Sequence, residues 1–211
     1  MAAAPAAGLF LSFEGIDGAG KSTQARRLAD HLRCLGRPVL LTREPGGSPG
    51  AEEIRRLLVE GAPGRWSAET ELLLFTAARG DHLERTIAPA LAEGRVVITD
   101  RFADSTRVYQ GAVRGDLRAL TDRLHAEMIG LEPRLTFILD MEPGPALRRG
   151  RARGGTEDRF EEMGEEFQTS LRAGFRALAA GFPDRCRLID AARPAEAIAA
   201  EIAAMAAEVL G

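Results

Sequence analysis

The feature that most constrains this chain is an apolar run, Leu9 to Phe13, that passes within two residues into Gly15-Ile16-Asp17-Gly18-Ala19-Gly20-Lys21-Ser22-Thr23. A strand, a glycine-rich loop and a helix must follow one another here. The loop fits G-x-x-x-x-G-K-[ST], and beyond it Leu28 and Leu32 stand at helical spacing. Glycines let the backbone curl until successive N–H groups and the new helix N-terminus face one anion. In such a cradle Lys21 reaches the β- and γ-phosphates of ATP, and Ser22 presents its hydroxyl to Mg2+. Lys21 is also the only lysine among 28 Lys and Arg residues. An ammonium is a compact charge on a thin stem, whereas a guanidinium is a wide fork, so a narrow phosphate cradle favours the former.

Further short apolar runs, Val39 to Thr42, Val96 to Thr99, Leu135 to Leu139 and Arg187 to Ile189, alternate with longer helical patterns. Strands separated by helix-length segments predict an α/β fold: a doubly wound parallel sheet of about five strands, with helices on both faces. Ligands of such sheets bind beyond the carboxyl ends of the strands. A length of 211 residues suits one domain, expected over residues 8–211, with a core large enough to need no disulfide. Residues 1–7 read as a flexible tail, having neither a basic segment nor a long apolar one. Near the other end Ile198, Ile202, Met205 and Val209 form one apolar helix stripe. A net charge of -3 argues against nucleic acid and acidic membranes as partners, and no apolar run approaches the roughly 18 residues of a membrane span. Cys34 and Cys186 stand in no metal-ligand spacing, which suits a reducing cytoplasm.

A phosphate cradle alone leaves open a small-molecule kinase, a switch GTPase or an ATPase module of a larger machine. A guanine-reading Asn-Lys-x-Asp segment is impossible with Lys21 as the sole lysine, and the chain has no Leu-Ser-Gly-Gly signature. A kinase needs an acceptor site, and its candidates lie in three segments. These are Thr42-Arg43-Glu44-Pro45-Gly46-Gly47, Phe75-Thr76-Ala77-Ala78-Arg79, and Asp100-Arg101-Phe102-Ala103-Asp104-Ser105-Thr106-Arg107-Val108-Tyr109-Gln110-Gly111. Phe75 and Arg79 are i and i+4, an aromatic that can lie on a base and a guanidinium that can donate to its carbonyl edge. Taken alone, the pair is more often a core Phe and a solvated Arg. Asp100-Arg101 falls at the carboxyl end of a strand, which favours chemistry, although a buried ion pair would also fit.

In order and spacing these segments resemble thymidylate kinase over nearly the whole chain. The resemblance implies transfer of the γ-phosphoryl of ATP to dTMP, giving dTDP and ADP. It implies that Phe75 stacks on thymine, Arg79 bonds its O4 edge and Pro45 helps enclose the 5-methyl. Arg101 would fork onto the acceptor phosphate and Asp100 would stand near Mg2+ with Ser22. Ser105 and Thr106 would border the acceptor, Tyr109 would lie under the deoxyribose, and Asp17 would hold the 3′-hydroxyl. Family members take a catalytic arginine from the phosphate loop or from a lid. Because this loop has Gly18, the resemblance points to a short Arg-rich lid at about 148–160, and to Arg151 and Arg153 within Arg148-Arg149-Gly150-Arg151-Ala152-Arg153-Gly154-Gly155, read as a mobile insertion. Asp158-Arg159-Phe160-Glu161 matches the family's segment after the lid. A homodimer is implied, with helical faces around Leu72 and Val108. Phe102 departs from a usual Tyr, Ser48 from a usual Thr and Val108 from a usual Ala, while His31, His82 and His125 match no motif. The rival readings are another pyrimidine nucleotide or nucleoside kinase and a nucleotide-binding regulatory module.

Overall fold

A computed structural model of the chain describes residues 8–62, 64–113, 116–153 and 164–210. Its strands are β1 (Leu9–Glu14), β2 (Val39–Arg43), β3 (Val96–Asp100), β4 (Leu135–Asp140) and β5 (Cys186–Asp190), in the order β2-β3-β1-β4-β5. All pairings are parallel. The phosphate-loop strand β1 is therefore central, and the chain turns outward on both sides of it. Such a switch point opens a crevice at the carboxyl edge.

Each strand runs one residue past its apolar stretch and ends on a charge: Glu14, Arg43, Asp100, Asp140 and Asp190. The register aligns Phe13 and Arg43 with Asp100, and Asp140 with Asp190. An apolar pattern stops at the first charge, but backbone pairing continues through it, so the predicted strands were short. One edge of the sheet thus gathers titratable side chains while its body stays dry.

Helices α1 (Lys21–Cys34), α2 (Pro49–Val59), α3 (Ala68–His82), α4 (Ala88–Ala92), α5 (Ala103–Val108), α6 (Arg118–Met128), α7 (Pro143–Arg153), α8 (Gly164–Gly181) and α9 (Ala195–Leu210) surround the sheet. One face buries Leu11, Phe13, Ile98 and Phe137 against Leu28 and Leu32 of α1, Leu171 and Phe175 of α8, and Ile198 and Ile202 of α9. The other buries Phe10 and Val97 with Ile87, Ala90, Phe102 and Ile129. The two faces of one strand, Phe10 against Leu11 and Phe13, alternate between these cores as a strand period of two requires.

Helix α5 is anchored from below. Asp104 in its first turn is buried and accepts from Arg107 Nη1 at 2.7 Å and from Arg185, just before β5, at 2.5 and 2.9 Å. Burial alone would raise the Asp104 pKa, but the two guanidiniums outweigh it and hold the group ionised. Beyond α5 the chain continues as a single π-helical turn, Tyr109–Val113.

Several expectations change on contact with the structure. Arg148 to Arg153 form the end of α7, so the segment expected to form a lid begins as helix and Gly150 does not interrupt it; residues 154–163 lie outside the described residues. Leu72 and Val108 are themselves buried within the chain, while Leu73, next to the former on α3, is exposed. Val108 finds its space at Gly174 of α8, where a Cβ would stand 2.8 Å from its Cγ1, which accounts for a branched side chain where Ala is usual. The Phe102 ring is buried and meets Phe10 edge-on at 4.8 Å.

Phe137, unexposed in the central sheet and 5.1 Å from the ring of Phe13, carries much of the larger core. Phe137→Ala is expected to cost about 3–5 kcal/mol. Urea unfolding should show a lower midpoint with an unchanged slope.

Candidate active site

The loop after β1 closes directly onto α1, whose first residues are Lys21 and Ser22. Lys21 is buried, donates to Ile16 O at 3.0 Å and lies 3.6 Å from Asp17 Oδ1. Burial and the neighbouring Arg101 lower its pKa, while Asp17 and Asp100 work the other way. Ser22 Oγ donates to Asp100 Oδ2, bringing the two oxygens expected at Mg2+ into contact. Gly18 is held against α7: a Cβ there would stand 1.9 Å from Ala146 O, and its φ of +80° is in the left-handed region. No side chain, and so no arginine, fits at this loop position in this arrangement.

Arg101 follows β3 and enters the same corner. Its φ is +72°, unusual outside glycine, and the backbone is pinned there by Arg101 N donating to Phe13 O at 2.9 Å and by Thr99 Oγ1 donating to Arg101 O at 2.8 Å. The guanidinium pairs with Asp17 Oδ1 and donates to Gly15 O at 3.3 Å, Ser105 Oγ at 2.8 Å and Tyr109 Oη at 3.2 Å. Tyr109 Oη donates in turn to Asp17 Oδ2 at 3.2 Å. Burial opposes charge on both Arg101 and Asp17, yet their attraction prevails: the arginine pKa rises, and Asp17 falls to about 2 with the help of Lys21. Burial pushes the Tyr109 phenol up, so it stays a neutral donor.

A second cluster faces the same crevice from α3. Arg79 is buried, with Nε donating to Glu44 Oε2 at 2.8 Å and Nη2 donating to Thr106 Oγ1 at 3.0 Å. Glu44 also meets His82 Nδ1 at 3.1 Å, and His82 Nε2 shares a hydrogen bond of 2.8 Å with Thr42 Oγ1. The Arg79 guanidinium carbon lies 5.1 Å from the Phe102 ring centroid. Phe75, one turn earlier on α3, and Pro45, beside Glu44, are half-buried. Ser48 donates to Asp81 Oδ2 at 2.6 Å, and the same oxygen accepts Ala51 N–H at 3.1 Å, which ties the start of α2 to α3.

The structure therefore brings together Asp17, Lys21, Arg101, Ser105 and Tyr109 in one network, Ser22 with Asp100, and Arg79 with Thr106. Of the candidates in the lid, Arg151 and Arg153 have backbones at the end of α7 and side chains outside the described set; nearer its middle, Arg149 Nη1 lies 3.5 Å from Ala191 O. Glu14, Glu44 and His82 were given no role from sequence. Glu14 had one available signal, an acid closing an apolar strand just before the glycine loop. His82 had another, three residues beyond Arg79 on the same helix face.

The thymidylate kinase family model matches residues 13–202 of the chain. The thymidylate kinase of Dinoroseobacter shibae is 73% identical over 197 residues, covering 93% of this chain and 95% of the relative. That of Caulobacter vibrioides is 53% identical over 205 residues, covering 97% and 98%. A crystal structure of thymidylate kinase from Ehrlichia chaffeensis superposes with a TM-score of 0.77 at 34% identity, over 95% of this chain and 98% of that one. With the phosphate loop, the charged sheet edge and the two arginine clusters in place, the chain belongs to the thymidylate kinase family.

Proposed function

We propose that this enzyme transfers the γ-phosphoryl of ATP to dTMP, forming dTDP and ADP for deoxynucleotide synthesis. The observation that carries this reading is the contact between Arg101 and the phosphate loop, with Nη1 3.3 Å from Gly15 O. Two anion sites, the loop N–H groups with Lys21 and the guanidinium of Arg101, thereby adjoin, so a donor and an acceptor phosphate would be held end to end. Phosphoryl transfer leaves little covalent work for the protein beyond such alignment and charge neutralisation.

In this reading an oxygen of the acceptor phosphate attacks the γ-phosphorus, and the bond to the β–γ bridging oxygen breaks as ADP leaves. The attacking oxygen is already anionic, so no histidine base is required; His82 and His125 are buried in structural contacts and His31 lies out on α1. Ser22 and Asp100 would hold Mg2+, which supplies positive charge to the donor phosphates. One carboxylate and one hydroxyl, with the remaining positions left to phosphate and water, suit this ion, and among the described residues no cluster of three or more His, Cys, Asp or Glu offers a closed protein site. Arg79 and Thr106 would read the thymine edge, with Phe75 stacking on the ring and Pro45 beside its methyl. Tyr109 would support the deoxyribose and Asp17 would accept its 3′-hydroxyl.

Arg151 and Arg153 are proposed to close on the transferred group from a lid at about 148–160, and the crowding of Gly18 by Ala146 favours a lid source over the loop. The proposal extends to a single domain over residues 8–211, a homodimer and a cytoplasmic setting. Among the described residues no helix is long and apolar enough to cross a membrane.

ADP release should be fastest with dTMP and nearly absent with UMP, thymidine giving none; a different winning acceptor would overturn the base and sugar assignments. Discrimination against dUMP should be only about 10- to 200-fold, since one methyl in an apolar pocket is worth about 1–3 kcal/mol. Arg101→Ala should abolish acceptor-dependent turnover while ATP binding persists.

Asp17 should also mark the acid limb of stability. Its folded pKa of about 2 lies below the ordinary 3.8, so its contribution is complete above pH 4 and is lost as pH falls toward 2. The shift corresponds to about 2 kcal/mol. Urea midpoints of the wild type and Asp17→Asn should differ most near pH 5 and converge in acid.

A further inference from the structure

Glu14 ends β1 immediately before the phosphate loop, is wholly unexposed, and takes no part in the reaction described above. Both of its oxygens accept from the segment that carries Arg101: Oε1 from Phe102 N–H at 2.7 Å and Oε2 from Ser105 Oγ at 2.5 Å. Ser105 Oγ also receives Arg101 Nη1–H at 2.8 Å. A hydroxyl has one proton to give. With that proton committed to Glu14, Oγ can meet Arg101 only with a lone pair, which fixes one corner of the guanidinium.

The second bond acts on the backbone. Phe102 N–H belongs to the peptide that follows Arg101, the residue held at φ +72°. Glu14 thus grips the arginine from both ends, through its own peptide and through its side-chain partner. Burying a carboxylate is costly, and Asp104 on α5 adds repulsion, so the Glu14 pKa is pushed up; Ser105, Arg101 and Phe102 N–H act in the opposite direction. A link that served only to join β1 to α5 could be made of apolar groups without that cost.

We propose that Glu14 is a positioning residue for the acceptor phosphate: through Ser105 and the Phe102 amide it sets where the Arg101 guanidinium lies, without touching either nucleotide. The inference rests on the assignment of Arg101 to the acceptor.

Glu14→Gln keeps the shape but turns one acceptor into an NH2, so either Phe102 N–H loses its acceptor or the Ser105 hydroxyl must turn its proton away and accept from position 14, which frees the corner of Arg101 that it holds. The KM for dTMP should rise about tenfold or more, with the KM for ATP changing less than about twofold. Ser105→Ala, which removes the bridge and leaves the Phe102 bond, should give the same acceptor-selective rise. The double variant should be no worse than the more damaging single one, as expected for groups acting in series. If Glu14→Gln does not fold, Glu14→Asp, which keeps the charge but draws it back from Ser105, takes its place and should show the same acceptor-selective rise. The proposal is overturned if these variants lower the melting temperature but leave the dTMP KM unchanged, or if both KM values rise together. Arg101→Ala run in parallel separates the two levels. Full activity there removes the underlying reading of Arg101, whereas its collapse beside unaltered Glu14→Gln and Ser105→Ala kinetics removes only the role of Glu14.

Discussion

The ion pair between Asp17 and Arg101 joins the two halves of this active site. One partner sits inside the phosphate loop and the other at the end of β3, so their contact sets the distance between that loop and the guanidinium proposed to take the acceptor phosphate. Both side chains are largely removed from water. Breaking such a pair strands a desolvated charge at a cost of several kcal/mol, far more than a surface bridge is worth. That cost also explains how Arg101 keeps a backbone conformation rare outside glycine: Phe13 O, Thr99, Glu14 and Asp17 together over-determine it.

Two chains of hydrogen bonds extend outward from the crevice and share one design. In the first, Glu14 holds Ser105, which holds Arg101. In the second, Thr42 and Glu44 bracket His82, and Glu44 holds Arg79, which reaches Thr106. Each ends in a guanidinium whose planar fork is held in place by these bonds, as the proposed contacts to the acceptor would require. An arginine left to solvent would lose rotamer freedom on binding; one already fixed by buried carboxylates does not. The anchoring of α5 by Asp104 and Arg185 supports both chains, because that helix carries Ser105 and Thr106.

The parts legible in the sequence were those whose signal is local. The glycine loop with its single lysine and the apolar runs of the strands are patterns within a few residues, and both lie where the spacing places them, the strands extending a residue further. Glu14 and Glu44 stood in plain view beside these motifs but carried no role, since a lone acid in a strand end reads as solvated until the fold shows what covers it. His82 lay beyond the reach of motif reasoning for the same reason: its partners, Thr42 and Glu44, are some forty residues away in the chain. That Leu72 and Val108 are themselves covered was not legible, because helical spacing reports which residues share a face, not whether α8 or a neighbouring helix already covers it.

The sequence by itself determined the chemistry available to this protein: a phosphate cradle, acids and arginines at strand ends, and an aromatic-arginine pair one helical turn apart. These follow from covalent spacing and from the periods of strand and helix, which act over a few residues. Only the tertiary structure decided which charges meet. Asp17 with Arg101, Ser22 with Asp100 and Arg79 with Glu44 are brought together by the parallel register and the packing of α3 and α5, and their protonation follows from burial and proximity, neither of which is a property of the chain taken residue by residue.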